Sequence, residues 1–256
     1  PHHGTSVASF FTSLMGRQLL RALSLTTIYV LRFGHLPLSA LLRLGAMGSR
    51  LDDLVGMRDT VVDQLFDQLL GEFSAERQQD LRTFLDEVNE DQALLTQLSQ
   101  ESMDLFDALA LDRPGVRHGC VVARARTQGL DAVRRIGMRP YNQVTHTLFK
   151  ALHHICANTD ETLLPGLEPA QEAALTRGYG HLPGADDSDG IVPALSQVRG
   201  QVIHTAWADH LDVVGHFAEP DREPPHFDWL SSGSGFRRGH FEALWGDVAA
   251  FLAKGA

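Results

Sequence analysis

Three observations in these 256 residues predict an α/β fold whose sheet carries a large helical insertion. Apolar residues recur at three- and four-residue intervals through residues 9–105, the period of helices that bury one face. Beyond Pro114 short β-branched runs bounded by glycine appear, as expected of buried strands. The chain then closes with strand, turn, strand, turn and helix, the tail of an α/β sheet. The predicted division is therefore a core of residues 1–8 and 106–256, with a helical excursion at about 124–186, and a helical cap of residues 9–105.

In the cap, Leu19, Leu20, Leu23, Ile28 and Leu31 are followed by Leu38, Leu41, Leu42 and Leu44 at helical spacing. "LVGMRDTVVDQLFDQLL" places Val61, Val62, Leu65, Phe66, Leu69 and Leu70 on one face. Ser74, followed three residues later by Arg77, opens a further helix. In it Leu81, Phe84, Leu85 and Val88 oppose Glu76, Asp80 and Glu87, an amphipathic helix with a solvated back. "GVRHGCVVARA" predicts a buried strand over Val116 to Ala123. Helices are expected over Tyr141 to Ala157 and Pro169 to Arg177, and "GYGHLPGADDSDG" is a loop by composition. Gly200 to Trp207 is the second strand, and the last helix turns Phe241, Leu244, Trp245, Val248 and Leu252 inward.

A formal charge of −10 argues against a nucleic-acid surface, which needs clustered Lys and Arg. No stretch reaches the roughly twenty apolar residues of a membrane span. The longest, Ala22 to Leu31, is bracketed by Arg21 and Arg32. Cys120 and Cys156 sit in apolar contexts that suit buried thiols. The opening "PHHGTSVASFF" reads like a turn inside a domain, so the expectation is a portion of a longer protein.

Chemistry gathers in "SDGIVPALSQVRGQVIHTAWADHLDVVGHF". In an open α/β sheet, reactive groups occupy loops beyond the carboxyl ends of strands. Asp189, after the first strand and a helical excursion, and His210, three residues past the second, belong at the same edge. A carboxylate and an imidazole so related are two thirds of a nucleophilic triad. Acid before histidine agrees with the chain order nucleophile, acid, histidine, which needs a serine upstream. No Gly-x-Ser-x-Gly elbow occurs; "GTSVA" at Ser6 ends in alanine, and "SGSGF" at Ser234 follows the histidine. Asp186 and Asp187 are alternative acids, or simply an exposed acidic loop. Of thirteen histidines, the adjacent pairs His2–His3 and His153–His154 lack the four-residue spacing of a zinc helix.

The stretch Ser188 to Val214 resembles the acid-to-histidine segment of the bacterial true lipases, triacylglycerol lipase-like esterases of the α/β-hydrolase superfamily, with Ser-Asp-Gly-Ile-Val, Gly-Gln-Val and His-Leu-Asp in the family's order. "PHHGTSVASF" resembles the turn that leads into their lid, and "LTQLSQESMDLFDA" the segment between lid and next strand. The resemblance implies the carboxyl-terminal part of an α/β-hydrolase sheet with a large helical lid insertion, Asp189 as triad acid and His210 as general base. It implies a serine and oxyanion hole upstream of Pro1, so that the chain alone is inactive, and a bacterial secreted origin. It implies an ester or acylglycerol substrate, lipid contact through the lid, no obligatory cofactor, and a structural calcium at Asp212, although His216 stands where a neutral oxygen would suit that ion. The rival reading is a non-catalytic lipid- or protein-binding helical module.

Overall fold

The structure, a computed structural model, describes residues 3–33, 36–49, 60–110, 112–126, 129–219, 221–223, 226, 228 and 230–254. His2 and the side chains of Leu31, Val61 and Val62 lie outside the described set. The chain is mostly helical and divides into two compact units, Ala8–Gln97 and Pro1–Val7 with Leu98–Ala256.

The first unit is wholly helical among the described residues. Helix α1 (Ser6–Thr12) leads into it and is followed by α2 (Leu14–Phe33), α3 (Leu38–Ser49), α4 (Thr60–Leu70), α5 (Ala75–Glu90) and α6 (Ala93–Gln97). Helix α2 packs on α4 and α5, and α3 on α4. The buried stripe of α2 is Leu19, Ala22, Leu25, Thr26 and Tyr29, and α4 meets it with Leu65, Phe66, Leu69 and Leu70. Burying each of these leucines contributes about 2 kcal/mol. Arg21 donates to Asp86 at 2.8 Å and lies over the Phe66 ring. Helix α5 starts at Ser74, whose Oγ accepts from Arg77 N, and it buries Leu81 and Leu85. Phe84, expected inward, is exposed, as are Leu38 and Leu42 of α3; the buried stripe is narrower than the apolar content suggests.

The second unit begins its regular structure with α7 (Gln100–Leu109), β1 (Gly119–Arg124), α8 (Leu130–Ile136), α9 (Pro140–Ala157) and α10 (Pro169–Tyr179). Strand β2 (Gln201–Trp207) and α11 (Arg238–Ala253) complete it. The two strands pair directly and in parallel, Gly119 with Gln201 through Arg124 with Trp207, with a register shift between Cys120 and Val121. Alternation along β1 sends Cys120 and Val122 to one core, with Leu175 and Tyr179 of α10, and Val121 and Ala123 to the other, with Leu244 of α11. The Tyr179 hydroxyl, carried by α10, donates to Val122 O at 2.7 Å and also reaches Ala206 O, pinning both strands near their ends.

This architecture corrects the expected fold class. The chain is about 60% helical, and its sheet has two strands among the described residues, so it is a mostly helical fold and not the carboxyl-terminal part of an α/β-hydrolase sheet. Only two runs have strand texture, and a pair of strands with a helix on each face already satisfies both. The first strand also starts later than expected, because Val116 is exposed and donates its N–H into a turn at Arg113 O. On α11 the inward set is Phe241, Leu244 and Val248; Trp245 and Leu252 face solvent, Trp245 donating its indole N–H to Val213 O.

Candidate functional site

Both strands of the second unit end at the same edge, and the loops after them are tied to each other. Ala125 N donates to Ser188 O at 2.8 Å, and Ala208 N to Arg124 O at 3.0 Å, so each loop is anchored to a strand end. Gln197 bridges them: its Oε1 accepts from Ala123 N at 2.7 Å, and its Nε2 donates to Ala123 O at 3.0 Å and Val192 O at 3.2 Å. Thr5 adds a hydroxyl donated to Ile191 O.

Asp189 is buried on this edge. Its Oδ1 accepts from Ile191 N at 2.9 Å and Val192 N at 2.7 Å, an Asp-Gly turn that closes on its own side chain. Gly190 makes the turn possible: its φ is +95°, and a Cβ there would lie 2.4 Å from the Phe149 ring of α9. The other oxygen, Oδ2, lies 2.9 Å from His210 Nδ1 and accepts from Gln197 Nε2 at 3.4 Å, while His210 N donates to Asp189 O at 3.0 Å. An ionised carboxylate only accepts, so Nδ1 carries the hydrogen and Nε2 of the neutral ring is left as a base. The imidazole is 38% exposed, the carboxylate beneath it 3%. No hydrogen bond to Nε2 is present among the described residues.

Burial alone lowers the His210 pKa, but the Asp189 charge and hydrogen bond, with Asp209 adding to them, outweigh it and the pKa is raised above its ordinary value. Chemically, such an arrangement can orient an imidazole as a base and stabilise its imidazolium from below.

The other expected acids separate cleanly. Asp187 is bound to Arg124 at 2.6 Å and accepts from Gly184 N, and Asp186 is exposed. Arg124, nearly buried and lying over the Trp207 ring, is a contact that sequence reasoning missed. So is Gln197, whose signal was a lone amide in an apolar segment after the Asp-Gly turn.

Asp212 stands two residues beyond His210 and is buried. Asp209 N donates to its Oδ2 at 3.0 Å, while Asp212 N donates to Asp209 Oδ1 at 3.0 Å. This reciprocal brace resembles a capping box and fixes the backbone on both sides of His210. Ser232 Oγ donates to Asp209 at 2.6 Å and Ser234 Oγ to Asp212 at 2.7 Å. "SGSGF" is therefore a latch on buried carboxylates. Burial, followed by the Asp212 charge, holds the Asp209 pKa well above the carboxylate range. Burial raises Asp212, and Asp228 nearby, to about 7 each. As for the calcium expected at Asp212, no group of three or more His, Cys, Asp or Glu side chains among the described residues could hold a metal ion. Asp212 Oδ2 accepts from two neutral donors, Asp209 N and Ser234 Oγ.

Ser6 is hydrogen-bonded to Ile155 O and Thr159 Oγ1, and no described bond connects Ser6 or Ser234 to His210. Cys120 and Cys156 are free and buried. Burial pushes the Cys156 thiol to about 12, too high for a nucleophilic thiolate. His3 lies 3.5 Å from Asp107, which Arg199 also engages. No helix is long and apolar enough to cross a membrane among the described residues. Comparison with family models, curated proteins and solved structures finds no match for the chain.

Proposed function

We propose that the Asp189–His210 pair is the acid–base arm of a serine hydrolase acting on carboxylic esters of lipid or acylglycerol character, its attacking serine lying N-terminal to Pro1. The observation that carries this reading is the 2.9 Å contact between a buried carboxylate and Nδ1 of a half-open imidazole whose Nε2 has no described partner. In the reaction His210 Nε2 takes the serine proton as the oxygen attacks the ester carbonyl, then returns it to the departing alkoxide. Asp189 holds the productive tautomer and stabilises the imidazolium. This chemistry requires the pair and its rigid mount, which a two-stranded sheet edge supplies; it does not require a wide sheet.

In the helical unit Leu14, Leu38, Leu42 and Leu94 are all more than half exposed, apolar side chains that suit contact with a lipid substrate. The same side chains favour the second reading, a non-catalytic lipid- or protein-binding module. Fluorophosphonate labelling separates the two. The probe is applied to the 256-residue chain and to a form extended N-terminally, and the labelled peptide is located by mass spectrometry. Label on a serine before Pro1, lost in His210→Ala, is the expected result. Label on Ser6 or Ser234 moves the nucleophile, and no label in either form leaves the binding module.

A further inference from the structure

The second unit carries an open cleft of about 1260 Å³ that the proposed reaction does not use, although Asp212 of the histidine loop reaches its wall. Five arginines line it: Arg135, Arg139, Arg222, Arg237 and Arg238. In a chain of formal charge −10, this is a local reversal of sign.

Two of the five share one carboxylate. Arg238 forms a bidentate pair with Glu219, at 2.8 and 2.9 Å, and Arg222 lies 3.7 Å from the same carboxylate. The other three are exposed and have no acidic partner among the described residues; Arg135 spends only its Nε, on Gly233 O at 2.7 Å. The acids that remain on the walls are Asp221, which is exposed, and Asp212 and Asp228, whose ionisation burial opposes.

The placement of two arginines runs against local preference. Arg139 is the N-cap of α9 and Arg237 the N-cap of α11. A guanidinium cannot accept the orphan N–H groups of a first turn, and its charge opposes the positive end of the helix dipole. Both residues line the same cleft as Arg135, and at α11 the Arg237 N–H is already accepted by His240 Nδ1 at 3.1 Å.

We propose that this cleft binds a phosphate group through Arg135, Arg139 and Arg237, the group being a phosphomonoester on a soluble molecule or the headgroup of an anionic lipid. Planar guanidiniums suit the tetrahedral oxygens of phosphate, and three of them favour a dianion over a carboxylate.

The test is binding, with no dependence on ester turnover, so it fails or succeeds separately from the hydrolase reading. Inorganic phosphate is titrated into the full chain by calorimetry. Sedimentation is then measured with phosphatidylcholine vesicles, with and without phosphatidic acid. The variant carries Arg135→Gln, Arg139→Gln and Arg237→Gln, all at exposed positions, with circular dichroism to check its fold. Arg134→Gln, paired with Asp131 outside the cleft, is the control. The expected result is saturable phosphate binding weakened at least about tenfold in the triple variant and unchanged in the control. Sedimentation that depends on phosphatidic acid and on the same arginines identifies the lipid source; phosphate binding without it identifies a soluble one. No binding of either probe, or equal binding by the triple variant, overturns the proposal.

Discussion

At the scale of single residues, the site depends on how His210 is held. Its raised pKa means that at low pH the ring is protonated and cannot accept a proton. In the N-terminally extended form, ester turnover is expected to rise with pH through a midpoint above 6.5 and level off, as measured by initial rates across pH. His210→Ala is expected to reduce that turnover by at least about a thousandfold, and Asp189→Asn by a similar order, because the amide favours the wrong tautomer. Gly190→Ala is a structural counterpart. A methyl group there meets Phe149 at 2.4 Å, and an L-residue resists a φ of +95°. The expected loss is on the order of 2–4 kcal/mol, read by urea denaturation.

At the scale of elements, one strand pair and the loops at its carboxyl edge carry the geometry. Gln197 joins the end of β1 to the acid loop through both ends of its amide. Gln197→Leu keeps most of the volume and leaves Ala123 N and O without that partner, at a cost of about 1–3 kcal/mol. In the extended form it also removes the Nε2 donor 3.4 Å from Asp189 Oδ2, the oxygen that faces His210, and it is expected to lower turnover. Elsewhere, α5 begins where a serine precedes an amphipathic run. Ser74→Ala removes an acceptor for Arg77 N, and a loss of about 1 kcal/mol is expected from thermal melting.

At the scale of the whole molecule, two buried carboxylates, Asp209 and Asp212, with the half-buried Asp228, lead to an expected dependence of stability on pH. Asp212 and Asp228 have pKa values of about 7, well above the value near 3.9 of an unfolded chain, and Asp209 is shifted the same way. The folded state therefore binds more protons than the unfolded state between about pH 4 and pH 7, and stability falls as pH rises through that window. His210 acts in the same direction, because its raised pKa adds stability below 6.5 that is lost as pH rises through the folded value. The expected outcome is a melting temperature that drops between pH 5 and pH 8 and a shallower drop in Asp212→Asn, which retains an acceptor for Asp209 N and Ser234 Oγ. In the proposed reaction, proton transfer to His210 is expected to gain on the alkaline side while stability gains on the acidic side.

Much of this was legible in the chain itself, for physical reasons. Helical periodicity survives translation into structure because burying a stripe of α2 or α4 needs only local spacing, and Ser74 marks its helix start through a hydrogen bond three residues long. That Asp189 and His210 lie at one strand edge was legible because an Asp-Gly turn and a residue just past a strand each carry a local signature. What the sequence could not determine was anything set by partners far along the chain. The width of the sheet depends on which strands meet, and the two strand-like runs satisfy each other. Which carboxylate of the acidic loop serves His210 was decided by Arg124, which takes Asp187 and leaves Asp189. The roles of Ser232 and Ser234 were decided by Asp209 and Asp212, some twenty residues away, whose burial demands hydroxyl donors. Spacing along the chain determines which groups can turn toward a core; only tertiary packing decides which charges are buried there, and so which neighbours must satisfy them.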